Sequence, residues 1–171
     1  MTANQQLTDV DLDQELWRHF VQAERSFFSA RTRLTTSPSA VALIRAGLAR
    51  PSERSAALDA AALLPTDKKR DLFGDVLALA SFVHGGIGAA RAIILSLPHD
   101  WLLENIEQYA EPLLAYDDDE EYRRLLELYS LIDRDLTLKL ARRAAEHADP
   151  DIREAGEDFL ANPDPFRASA S

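Results

Sequence analysis

Asp149-Pro150-Asp151-Ile152-Arg153-Glu154-Ala155 opens the last strongly patterned stretch of the chain, which runs on through Phe159-Leu160 to Ala161. An aspartate followed by proline reads as a helix start. Proline's fixed φ suits the first turn, and the aspartate oxygen can accept from the N–H groups that have no partner there. The same punctuation recurs upstream at Ser37-Pro38, Pro51-Ser52, Pro65-Thr66 and Pro98-His99-Asp100. Further breaks fall at His84-Gly85-Gly86, at Asp117 to Asp119 and at Asp133 to Asp135. Ahead of all of them, Leu16, Trp17, Phe20, Val21, Phe28 and Leu34 keep near-helical spacing, which predicts one long opening helix over about Asp9 to Arg33. The sum is about nine helices on short connections, and short connections make neighbouring helices antiparallel.

Composition supports an all-α class. Among 171 residues there are 27 alanines and 26 leucines, against 19 for valine, isoleucine and threonine together and 6 glycines. That is a chain of helix formers, poor in strand formers. The formal charge is −10, from 29 acids and 19 bases. Such a balance disfavours a general nucleic-acid or anionic-membrane binder, whose polyanionic target must be neutralised. With no cysteine, thiol nucleophiles, Cys-ligated zinc, iron–sulfur clusters and disulfides are excluded. The most apolar run, Val76 to Val83, stops at His84-Gly85, short of the roughly 18 to 20 apolar residues of a membrane helix. The polar, acidic start lacks a secretory pattern, so a cytoplasmic protein without a membrane partner is the expectation.

After the opening helix the predicted helices fall into pairs: Ala40 to Arg50 with Ser52 to Leu64, Asp67 to Val83 with Ile87 to Leu97, Asp100 to Tyr116 with Glu120 to Ile132, and Asp135 to His147 with Asp151 to Ala161. Each second helix carries an arginine near its start, Arg54, Arg91, Arg123 and Arg153, at intervals of 37, 32 and 30 residues. A period of that size is one helical hairpin with its turns. The chain then reads as a single helical-repeat domain over residues 1–161, with a capping helix at about 9–33, hairpins over about 38–161 and a tail at 162–171. The opening helix, rich in Trp17, Phe20, Phe27 and Phe28, is too apolar to stand alone in water. It would cap the stack, with docking onto a partner or a second copy as the competing reading.

The last hairpin resembles a HEAT-type repeat. Asp149-Pro150-Asp151-Ile152-Arg153-Glu154-Ala155, continuing to Phe159-Leu160, looks like that family's turn aspartate, its aliphatic-arginine step and its alanine-then-leucine second helix. The resemblance implies that Asp149 or Asp151, and Arg153, help tie adjacent repeats into a stack. It weakens upstream: the second hairpin keeps Arg91, Ala92 and Leu95 but has glycines in the turn, the third has Asp118, Tyr122 and Arg123 but leucines for the alanine, and the first keeps Arg54 and Ala57. HEAT-like proteins are mostly scaffolds that bind macromolecules, which is the function the resemblance implies.

Candidate chemistry is sparse. Asp117-Asp118-Asp119-Glu120-Glu121 is the densest acidic run, but an EF-hand would need glycine at Tyr122 and glutamate at Leu128, so it reads as a capped helix start. Glu104, Glu107 and Glu111 share one helix face, as a carboxylate metal site requires, yet no Glu-x-x-His accompanies them. His19, His84, His99 and His147 are isolated, and no Gly-x-Ser-x-Gly elbow occurs. Gly85-Gly86-Ile87-Gly88 lacks the Lys-Ser/Thr of a phosphate loop and reads as an interhelical turn. Trp101, Tyr109, Tyr116, Tyr122 and Tyr129 suit interface anchors and core packing equally. No catalytic residue, metal or cofactor is assigned.

Charge is the feature with functional content. Residues 1–98 carry 11 bases against 10 acids, whereas residues 99–171 carry 8 bases against 19 acids, so nearly all of the excess lies in the second half. On stacked hairpins that becomes a gradient able to steer and orient a charged partner. The expected function is a non-enzymatic interaction or regulatory module that binds a basic protein through its acidic C-terminal hairpins, with Glu104, Glu107, Glu111 and Asp117 to Glu121 as the candidate surface. The alternatives are a helical-repeat enzyme of the HEAT-like DNA glycosylase type and a self-assembling structural unit.

Overall fold

A computed structural model describes residues 3–164, with side chains from Leu12 onward. Every regular element among them is a helix, and none of these is long and apolar enough to cross a membrane. The chain separates into two compact units, Met1–Ala40 and Val41–Ser171. The first is built on one helix, α1 (Ala3–Thr36). The tail beyond Asp164 lies outside the described residues.

The remaining helices are α2 (Ala40–Leu48), α3 (Arg54–Ala62), α4 (Thr66–Asp71), α5 (Phe73–Ala80), α6 (Ile87–Leu95), α7 (His99–Leu114), α8 (Asp119–Ile132), α9 (Arg134–Ala145) and α10 (Pro150–Ala161). Among the described residues there are ten helices rather than about nine, because the helix expected over Asp67 to Val83 breaks at Leu72. That residue, at φ −99° and ψ 1°, ends α4 and starts α5. The break separates two kinds of sequence. Thr66 to Asp71 is polar with no buried residue, while Phe73, Val76, Leu77, Leu79 and Ala80 are all buried.

Five helix starts carry an aspartate cap, a proline or both. The last three are capped by aspartate: Asp118 accepts from the N–H groups of Glu120 and Glu121, Asp133 from Leu136, and Asp149 from Asp151 and Ile152. Each such cap is worth about 1 kcal/mol. Pro65 and Pro98 sit at the caps of α4 and α7 and Pro150 in the first turn of α10, as the punctuation predicts. Asp117, at φ 53°, supplies the left-handed residue that reverses the chain between α7 and α8.

Within the second unit α5 packs on α6, α7 on α8 and α9 on α10, so three of the expected pairs form. The second helices also touch in succession, α3 to α6, α6 to α8 and α8 to α10, and α5 touches α7. Alanine makes these approaches close: Ala90, Ala110, Ala141, Ala144 and Ala155 are all buried. The larger filling comes from Phe73, Leu77, Ile94, Ile106, Leu125, Leu126, Tyr122 and Tyr129, each worth about 1.5–3 kcal/mol when a side chain of this size is taken out of water. Of the aromatic residues that fit both anchor and core, Tyr122 and Tyr129 are core, while Tyr109 and Tyr116 are exposed.

Candidate interaction surface

Amphipathic spacing fixes where the acidic residues go. On α7, Leu102, Ile106, Ala110 and Leu114 are buried, so Glu104, Glu107 and Glu111 are turned away from the core. Two of the three meet cations of α9: Lys139 Nζ lies 2.7 Å from Glu107 Oε2, and Arg143 Nη1 lies 2.6 Å from Glu111 Oε1. Both pairs line a cleft of about 180 Å³ floored by Leu114, Tyr129 and Leu140. Burial, with Glu107 and Glu111 nearby, pushes the Tyr129 hydroxyl well above the usual phenol range. Its bond to Glu111, outweighing the effect of burial, raises the Arg143 guanidinium above its ordinary value. Glu104 has no such partner among the described residues.

The acidic run is likewise distributed. Asp118 is the cap of α8, and Glu120 Oε1 accepts from the Val83 N–H at 2.8 Å, joining the first turn of α8 to the α5–α6 turn. Asp117 Oδ1 lies 3.2 Å from His147 Nε2. Because His147 Nδ1 accepts from the Asp149 N–H, its proton sits on Nε2 and is donated to Asp117, which ties the α7–α8 turn to the α9–α10 turn. His84 repeats this local motif: Nδ1 accepts from the Gly86 N–H at 2.9 Å, and Nε2 donates to Leu79 O at 2.7 Å. The two histidines that looked isolated in sequence are turn clasps. Asp119 is exposed.

Glu121 differs from its neighbours. Its Oε2 is buried without a hydrogen-bond partner, and desolvation, then Asp118 and Glu120, raise its pKa above the ordinary 4.5. A carboxyl whose folded pKa lies above its unfolded value costs stability as pH climbs through the window just above 4.5, and costs nothing below it. Glu121→Gln should therefore raise the melting temperature at pH 7, with the gain closing on acidification to pH 4; a gain that does not change with pH would contradict this.

The arginines of the four second helices fall into two geometries. Arg54 Nε donates to Leu48 O at 3.2 Å and Arg153 Nη1 to His147 O at 2.8 Å, each reaching six residues back across its own hairpin turn. Arg91 and Arg123 reach forward instead, to Glu127 at 2.7 Å and Asp158 at 3.1 Å in the next second helix. The bonds of Asp149 and Arg153 thus lie inside the last hairpin, and Asp151 is exposed beside them.

Sequence reading missed three things. One is the triad in which Glu127 also accepts from Arg124 at 2.5 Å. Another is Arg70 stacked 5.1 Å above the Trp101 ring, which meets Phe73 edge-on. The third is a cleft of about 490 Å³ between α3 and the Gly85-Gly86 turn, lined by Arg54, Ser55, Asp59 and His84. Arg54 is betrayed by its period, but nothing in the sequence joins it to His84. Among the described residues no three His, Asp or Glu side chains are placed to hold a metal ion.

The balance of pairing decides what the second half presents. Among the described residues from 99 onward, Arg123, Arg124, Arg134, Lys139 and Arg143 are held by carboxylates and Arg153 by backbone carbonyls, which leaves Arg142. The carboxylates of Asp100, Glu104, Asp119, Asp135, Glu146, Asp151, Glu154 and Glu157 are exposed and outside these pairs. Comparison with family models, with curated proteins and with solved structures gives no match.

Proposed function

We propose that the second unit is a HEAT-like stack of helical hairpins that acts as a non-enzymatic interaction module, binding a basic protein through the exposed carboxylates of its C-terminal hairpins. The stacking is supported by second helices that touch in succession and by cross-hairpin pairs about one hairpin apart: Arg45 with Asp75, Arg91 with Glu127, Glu107 with Lys139, and Arg123 with Asp158. The functional reading rests on one observation: among the described residues of the second half, every Lys and Arg but Arg142 is engaged within the chain, while eight exposed carboxylates are outside these pairs. The acidic excess therefore faces outward and can meet a cationic surface. On α10 alone Asp151, Glu154 and Glu157 are exposed, so the surface extends beyond the residues that the sequence singles out.

The test is a titration of the protein with a lysine- and arginine-rich peptide and, separately, with duplex DNA. Peptide binding that weakens as salt rises, with no DNA binding at low salt, is the expected outcome. DNA binding without peptide binding would overturn it in favour of a nucleic-acid enzyme.

A further inference from the structure

Helix α1 carries a second pattern that the acidic surface does not use. Over Leu16, Phe20, Ala23, Phe27, Ala30 and Leu34 the spacing is four, three, four, three, four, the seam of a coiled coil. No other helix belongs to this unit, and Leu16, Phe20 and Phe27 are about 58–60% exposed, with Trp17 and Phe28 similarly open beside them. A lone helix with such a face requires a cover.

The order of sizes selects the cover. If a second copy of α1 lies antiparallel with residue 25 on the two-fold axis, Leu16 meets Leu34 of the copy, Phe20 meets Ala30 and Phe27 meets Ala23. Each phenylalanine ring then packs over an alanine in all of its layers. A parallel pair in register would stack phenylalanine on phenylalanine and leave voids where alanine faces alanine. Charge selects the same orientation. Among the residues with described side chains, the start of the helix carries Asp13 and Glu15 and its later part Arg25, Arg31 and Arg33 with only Glu24, so antiparallel pairing brings Glu15 toward the end that carries Arg31 and Arg33 in the copy, and parallel pairing sets like on like. Arg31, whose guanidinium lies 5.1 Å from the Phe28 ring, comes level with Trp17 of the copy. One like-charged approach, Glu24 to its own copy, falls at the rim, where exposed charges cost little. The rings and leucines of two such helices cover on the order of 1,000 Å², the scale of a specific interface.

We propose that α1 is a dimerisation helix, paired antiparallel with α1 of a second copy of this chain. It stands independently of the acidic surface, because its residues are all on the other unit. Light scattering across micromolar concentrations should give twice the 19.1 kDa chain mass, and Phe20→Glu with Phe27→Glu should return the monomer mass while the hairpin unit unfolds as before. The absence of native cysteine permits a finer readout. Ser26→Cys, close to its own copy across the axis, should be joined by a short bis-maleimide, whereas Ala30→Cys, about 15 Å along the axis from its copy, should not. Efficient joining through Ala30→Cys would overturn the antiparallel pair. A wild-type monomer at every concentration would overturn pairing altogether, and Trp17 shielded from quencher in that monomer would assign the face to the hairpins of its own chain.

Discussion

Gly156→Ala should be among the most damaging single-methyl changes in the molecule, lowering stability by about 3 kcal/mol, or about 6–12 °C in melting temperature for a chain of this size. Gly156 is buried where α10 crosses α9. A Cβ built there would lie 2.3 Å from Ala145 N, 2.7 Å from Ala141 O and 2.8 Å from Ala144 C, all backbone atoms that cannot swing aside. The two helices would have to separate, and that opens the last hairpin. The control is Gly88→Ala: Gly88 is the second residue of α6 with open space where a Cβ would go, so alanine there should be tolerated, with a gain of at most about 0.5–1 kcal/mol through helix propensity. Thermal unfolding of both variants checks the pair, and equal effects would contradict the packing of α9 on α10.

Glu127→Ala is the second large effect. Glu127 accepts from Arg91 of α6 and from Arg124 of its own helix, and the side chains of Glu127 and Arg91 are only 15% and 17% exposed. Arg91 also reaches Arg124 O at 3.2 Å, while the Nε atoms of both arginines are buried without partners. Removing the carboxylate strands two largely desolvated cations, at a cost of about 2–3 kcal/mol. The exposed pair of Glu107 with Lys139 should contribute at most about 1 kcal/mol, so Glu107→Ala should be mild. Urea unfolding distinguishes the two, and the combination of Arg91→Met with Glu127→Leu should be less harmful than Glu127→Ala because only Arg124, rather than both arginines, is left without its carboxylate.

The helical class, the caps and most helix positions were legible because they depend on local chemistry: Pro98 and Pro150 at first turns, Asp118, Asp133 and Asp149 as caps, and the apolar stripe of α7. The break at Leu72 was not. Thr66 to Asp71 and Phe73 to Ala80 both favour helix, and the interruption falls where burial begins rather than at a proline or glycine. The acidic surface was legible in sign and only partly in place. Glu107, Glu111, Asp118 and Glu120 all gain partners, three of them at least 32 residues away and one at its own helix start, so a charge count along the chain overstates what they present outward. Conversely, Glu154 and Glu157 on α10 looked like ordinary helix charges, and become part of the surface because the cations near them are engaged elsewhere. Gly156 offered no signal, since its role depends on a neighbouring backbone.

The most direct measurement is the affinity of a lysine- and arginine-rich peptide for three proteins at low salt: wild type, the charge reversal Glu154→Lys with Glu157→Lys, and Lys68→Glu in the polar helix α4, which has no buried residue. The reversal should weaken binding by at least about tenfold, whereas Lys68→Glu, outside the acidic half, should leave it near the wild-type value. Equal affinity of the reversal variant and wild type would show that the outward carboxylates of the C-terminal hairpins are not the binding surface.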